Sequence, residues 1–154
     1  MQAVDFLSQV RRLDALIDNK REEERELWAL ATSMAQRSDG MPHATGQTDK
    51  MTNIVQKIIN AQERTNAAID KYVDAKQEVL KRLETLPRKQ YEVLYWLYIK
   101  KRVKREKGQK PYYTWSEAAE GLGITEQAMS KTRRRGIRNL QKILDSEQGL
   151  IEVE

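Results

Sequence analysis

Apolar residues recur through the first 86 positions in alternating steps of four and three, and that spacing restricts the chain more than any other feature. Phe6, Val10, Leu13, Ile17, Lys20, Glu24, Leu27, Ala31 and Met34 form one row. Met51, Val55, Ile58, Gln62, Thr65, Ile69, Tyr72, Lys76, Val79, Leu83 and Leu86 form a second. Such steps return a side chain to one side of a helix, whereas a half-buried strand needs alternation by two. The rows therefore predict two long helices packed along seams. Lys20 and Glu24 interrupt the first within NKREEERE, which leaves a break, a solvated stretch or a polar pair that fixes register. The middle of the second row is polar, so pairing should be weaker there.

RSDGMPHATGQTDK separates the rows and is a loop by composition, over about residues 38–49. Two helices of similar length joined by one loop most simply fold back antiparallel; dimerisation along the same seams is the competing arrangement. Two helices alone bury little, so the hairpin is expected to pack on a copy of itself or on the rest of the chain.

Charge divides the sequence differently. Residues 1–86 hold 13 Lys and Arg against 14 Asp and Glu, residues 87–144 hold 15 against 5, and residues 145–154 hold four acids and no base. A positive charge concentrated in one segment points to a polyanionic partner more specifically than a high overall pI does. Cys is absent, which removes disulfides, thiolate metal sites and thiol nucleophiles. The start, MQAVDFLSQVRRLD, lacks the apolar stretch of a secretory signal, and no apolar run approaches the roughly 20 residues that span a bilayer. The expectation is a soluble cytoplasmic protein, with no membrane partner.

Pro87 marks a new helix start. Tyr91, Leu94, Tyr95 and Tyr98, with Val93, Trp96 and Leu97, make the densest aromatic cluster in the chain and read as a core helix rather than a base-stacking platform. IKKRVKREKGQKPYY follows; its first half could prolong the helix, and Gly108 and Pro111 must end it. Thr114-Trp-Ser-Glu117 is a capping box, in which the threonine satisfies an exposed amide and the glutamate reaches back. The short helix it opens can bury Ala118, Ala119 and Leu122. Gly123 can take the left-handed conformation that turns the chain, Ile124 can anchor the turn in the core, and Thr125 can cap the next helix. In EQAMSKTRRRGIRNLQKIL, Met129, Gly136, Ile137, Leu140 and Leu144 make an inward face. Helix, glycine turn and helix at this spacing are the helix-turn-helix arrangement. The fold class expected is all-α: a long antiparallel helical hairpin (1–86), a helix-turn-helix domain (87–145) with a basic insertion (100–113), and an acidic tail (146–154).

LPRKQYEVLYWLYI followed by TWSEAAEGLGITEQAMSKTRRRGIRNLQKIL resembles the fourth conserved region of bacterial sigma factors. There a Leu-Pro helix start precedes a helix-turn-helix ending in a basic helix with spaced leucines. The whole chain resembles a family of small phage and prophage proteins of Gram-positive bacteria, related to late-gene transcription regulators of the RinA and ArpU type. VRRLDALIDNKREEERELWALATS and MTNIVQKI carry that second likeness. The resemblance implies a sigma-like DNA-binding domain joined to a helical hairpin that mediates homodimerisation or contact with bacterial RNA polymerase. KKRVKREKGQKPYY departs from it, standing where sigma region four has a short link. Gly136 replaces a customary Ala, at about 1 kcal/mol of helix propensity. Nothing resembles the promoter-opening regions of a complete sigma factor.

Consecutive helical residues point about 100° apart, so Arg133, Arg134 and Arg135 cannot share one role. Glu126, Gln127, Ser130, Lys131 and Arg134 are the candidate base-reading residues. Gln127 can bond adenine, Lys131 guanine and Glu126 the cytosine amino group, while Ser130 permits close approach. Candidate phosphate contacts are Arg133, Arg135, Arg138, Lys100, Lys101, Arg102, Lys104 and Arg105, with Thr114 and Thr125 presenting amides at helix starts. Arg133 and Arg135 could instead form ion pairs within the protein. The insertion KKRVKREKGQKPYY, with seven Lys or Arg and one acid, is a disordered tether or an arm along DNA.

Catalysis has little support. The single histidine, His43, lies in the expected loop. Asp39, His43 and Asp49 could meet a metal, though a plain polar loop explains them better. There is no phosphate-binding glycine motif. A non-enzyme without cofactor or metal is expected: a sequence-specific binder of double-stranded DNA that regulates phage or prophage late genes. The alternatives are a small-terminase-like recognition subunit for DNA packaging, or a module that contacts RNA polymerase without reading DNA.

Overall fold

A computed structural model describes residues 1–37, 45–103 and 105–153. These residues are all-α, in five helices: α1 (Ala3–Arg37), α2 (Thr45–Leu83), α3 (Arg88–Tyr98), α4 (Trp115–Leu122) and α5 (Glu126–Val153). Among them the only β pairing is an isolated antiparallel bridge between Lys101 and Tyr112. No helix among the described residues is long and apolar enough to cross a membrane. Packing divides the chain into two units, Arg12–Val73 and the combination of Met1–Arg11 with Asp74–Glu154. This division differs from a cut before Pro87, because both ends of the hairpin belong with the C-terminal helices.

Within Arg12–Val73 the two helices run antiparallel, with residues 28–35 of α1 beside residues 51–62 of α2. Neither breaks at its polar middle. Lys20 pairs with Glu23 at 3.6 Å. The buried Thr65 hydroxyl lies 3.0 Å from the Ala61 carbonyl and 3.2 Å from the Glu24 carboxylate. NKREEERE is thus continuous helix, and its one inward carboxylate is held across the seam. A buried hydroxyl with partners avoids the roughly 1–3 kcal/mol cost of an unsatisfied group.

The α1 seam follows the expected row. The α2 seam is shifted: Ile54, Ile58, Ala61, Thr65 and Ala68 point inward, while Val55 is 47% exposed and Gln62 is exposed. A row through Ala61 and Ala68 keeps both apolar positions inside and releases Gln62 to water, which is cheaper than burying an amide. α2 also begins at Thr45, so residues 45–49, expected in the loop, are helical. Asp49 is exposed on α2; Asp39 and His43 lie outside the described residues.

In the other unit, Phe6, Leu7, Val10, Val79, Leu83 and Leu86 join Leu94, Leu97 and Leu140 as buried side chains. Gln141 of α5 accepts the Ala3 amide at 2.7 Å, satisfying a first-turn donor of α1 with a side chain from the far end of the sequence. Arg82 donates to Glu147 at 2.9 Å and to Glu78 at 2.6 Å. Pro87 is the N-cap of α3 (φ −54°, ψ 145°), the helix start expected there. α5 continues through Val153, so the acidic tail extends the helix.

Candidate nucleic-acid interface

The helix-turn-helix is built from caps outward. The Thr114 side chain accepts from the Glu117 amide at 3.2 Å, and Glu117 accepts from the Thr114 amide at 3.2 Å, completing the capping box of α4. Gly123 closes α4 in the left-handed region at φ 70°. The Ile124 amide then bonds Ala119 O at 3.1 Å, and Thr125 caps α5 by accepting from the Ala128 amide at 3.1 Å. The expected anchoring role of Ile124 does not hold, since its side chain is 38% exposed. Ala118, Ala119 and Met129 fill the crevice between α4 and α5 without it, together with Val93 and Leu97 of α3.

Two glycines permit close approach. A Cβ on Gly136 would meet Leu94 Cδ1 at 3.0 Å, which gives a packing reason for glycine inside a helix. A Cβ on Gly121 would run into the Trp96 indole, so α4 lies directly on that ring. The first is visible in the helical spacing of α5; nothing local in the sequence marks the second.

α5 turns a basic side to solvent. Gln127, Lys131, Arg134, Arg138 and Lys142 are all exposed. At about 100° per residue they fall within a sector about 80° wide. Lys142, four residues after Arg138, belongs to this stripe and is an addition to the candidate residues, although helical spacing alone could have found it. Ser130 is half-buried at the stripe's edge, 3.5 Å from Arg134. Glu126 is exposed in the first turn but points away from the stripe. Arg135 is exposed on its flank.

Arg133 stands apart from its neighbours. It is half-buried, donates twice to the Tyr98 hydroxyl (2.7 and 3.1 Å), and lies 5.2 Å over the Trp115 ring. One guanidinium thereby ties α5 to α3 and to the first residue of α4. Of the two roles open to it, the internal one is what the geometry supports.

The basic insertion forms an ordered hairpin at its base. α3 ends at Tyr98, so the helix does not extend into it. The Arg102 amide bonds Pro111 O at 2.8 Å, and the chain reverses through Gly108 at φ 90°. Arg102 donates to Glu117 at 2.5 Å and to Lys110 O at 2.9 Å, and lies 5.0 Å over the Tyr113 ring. Arg102 and the capping box together hold the Glu117 carboxyl at about 2. Lys100 sits 3.7 Å over Trp96, and Lys101 faces the Tyr112 ring at 5.8 Å. Of the predicted phosphate contacts here, Arg102 is engaged within the protein, Arg105 is exposed, and Lys104 lies outside the described residues. Arg11 braces the base, donating to Tyr98 O at 3.1 Å and covering Tyr112 at 4.2 Å. Burial pushes the Arg11 guanidinium below its ordinary pKa.

No family model, characterised protein or solved structure matches this chain. Among the described residues, no group of His, Cys, Asp or Glu side chains is arranged to hold a metal ion.

Proposed function

We propose that the chain is a sequence-specific binder of double-stranded DNA that regulates transcription, with the N-terminal half of α5 in the major groove. The observation that carries the reading is one exposed sector holding Gln127, Lys131 and Arg134, on a helix whose start is set by Gly123 and Thr125 and whose back is held by Arg133. A rigid, capped helix presenting an amide donor–acceptor beside two cations has the chemistry for adenine and guanine edges. Arg138, Lys142 and Arg135 extend positive charge along and beside that face, where phosphates run. The exposed basic residues of the insertion, Arg105 among them, supply further backbone contacts, whereas the Thr114 amide is engaged by Glu117 in the capping box. The resemblance to sigma region four and to RinA- and ArpU-type proteins makes phage or prophage late genes the proposed targets, with RNA polymerase a proposed second partner in the bacterial cytoplasm.

The test is binding to a mapped DNA site by Gln127→Ala and Lys131→Ala. Each should weaken the mapped site by about 1–3 kcal/mol and leave random duplex little changed, because base contacts specify while phosphate contacts hold. Equal affinity of both variants for the mapped site would overturn the assignment.

A further inference from the structure

The hairpin segment Arg12–Val73 has two long grooves that differ in chemistry. One is lined by Glu23, Glu26, Lys57 and Arg64 around Leu27 and Leu30. The opposite groove, which includes Trp28, Thr32, Met51, Val55 and Ile59, has no charged lining residue. Trp28, Val55 and Ile59 are 52%, 47% and 42% exposed. A contiguous apolar face of this kind, on a segment only one layer thick, is what an interaction surface looks like.

The charges bordering that face indicate what covers it. Arg21 and Arg25 precede Trp28 and Thr32 by seven residues each, so they continue the same face along α1. Glu63 and Asp70 are likewise seven apart, and edge the face on α2 beyond Ile59. All four are exposed. Glu24 meets Thr65 across the hairpin, which puts Arg25 at the height of Glu63 and Arg21 about a turn nearer Asp70. Arg25 has a local partner in Glu22 at 3.4 Å, but both side chains are largely exposed and free to exchange.

We propose that this face docks on the same face of a second copy of the chain, about a two-fold axis parallel to the hairpin. α1 of each copy then lies antiparallel against α2 of the other, in an up-down four-helix bundle. That axis sets Arg25 and Arg21 against the partner copy's acidic edge, twice by symmetry, with the Trp28 region over the Ile59 region. A two-fold axis perpendicular to the hairpin would stack α1 on α1 and take both arginines away from the acidic edge of α2. The inference stands on the hairpin alone and does not depend on DNA binding.

Sedimentation equilibrium of the full chain without DNA, over a wide concentration range, tests it. The expected result is a dimer. Ile59→Glu, in the uncharged groove, should raise the dimer dissociation constant by more than about a hundredfold, whereas Leu30→Glu in the opposite groove should leave it unchanged. Arg25→Glu should weaken the dimer about tenfold through two reversed pairs, and Arg25→Glu combined with Glu63→Arg should restore it. Circular dichroism of each variant separates dissociation from unfolding. A monomer at every concentration, a larger ring, dissociation by Leu30→Glu but not Ile59→Glu, or an Arg25→Glu dimer of unchanged strength would each overturn the proposal.

Discussion

Arg133→Ala and Arg134→Ala separate the structural from the recognition role of adjacent arginines. Arg133 makes two charge-assisted hydrogen bonds to one hydroxyl, at 2.7 and 3.1 Å, and a stacking contact with Trp115 at 5.2 Å. Bonds from a charged donor are worth about 1.5–3 kcal/mol, and a cation–π contact at a partly exposed site about 0.5–1 kcal/mol. Partial exposure puts Arg133 at the low end, so Arg133→Ala should cost about 2 kcal/mol. With a urea slope of about 2 kcal/mol/M, the unfolding midpoint should fall by about 1 M. Arg134→Ala removes only an exposed side chain and should leave stability within about 0.5 kcal/mol of the parent, while weakening DNA binding. Urea titration followed by circular dichroism, with DNA affinity measured on the same samples at several salt concentrations, gives both readouts. Unchanged stability in Arg133→Ala, with a salt slope lower by about one, would mean that Arg133 is a phosphate contact and the reasoning is wrong.

Four further outcomes follow from the same geometry. Gly121→Ala forces a methyl into Trp96 and should destabilise by about 1–3 kcal/mol despite the better helix propensity of alanine, read as a lower thermal midpoint. Thr125→Ala removes the α5 cap and should cost about 1 kcal/mol in urea titration. The Glu117 carboxyl lies at about 2, below its ordinary 4.5, so its stabilising contribution is present above about pH 4.5 and lost as pH falls toward 2. The thermal midpoints of the parent and Glu117→Gln should therefore differ most near neutral pH and converge by about pH 2; a constant difference would contradict the Arg102–Glu117 pairing. Replacing residues 105–110 with a neutral turn should lower the salt slope of DNA binding by about 0.9 for each phosphate that the exposed hairpin neutralises, and an unchanged slope would place the hairpin away from DNA.

The helix-turn-helix was legible because each of its signals is local. Thr114 and Glu117, Gly123, and Thr125 act within four residues of themselves, and their roles follow from which backbone groups a helix end leaves open. The apolar face of α5 was legible for the same reason, through Met129, Gly136 and Leu140. The α2 seam was harder, because apolar residues flank both possible rows. Ile54 and Val55 compete as neighbours, and only the partner helix decides between them. The spacing of the triplet left an internal role open to Arg133, but the partners of Arg133, Arg102 and Arg11 were not legible. Each pairs with a residue 15 to 87 positions away, and a basic residue looks the same in sequence whether it meets a phosphate or a tyrosine. Nor could composition show that the insertion closes into a hairpin, since that rests on backbone pairing between Arg102 and Pro111. Among the candidate base-reading residues, Gln127, Lys131 and Arg134 share one exposed sector. Glu126 lies off that sector, and Ser130 borders it.

Selection from a randomised duplex DNA pool by the full-length chain at physiological salt tests the central claim most directly. The account predicts enrichment of a defined site bound at least about a thousandfold more tightly than random duplex, with its preferred bases altered by Gln127→Ala and Lys131→Ala. A pool that stays random after repeated rounds, or binding that falls with salt but is indifferent to sequence, would contradict it.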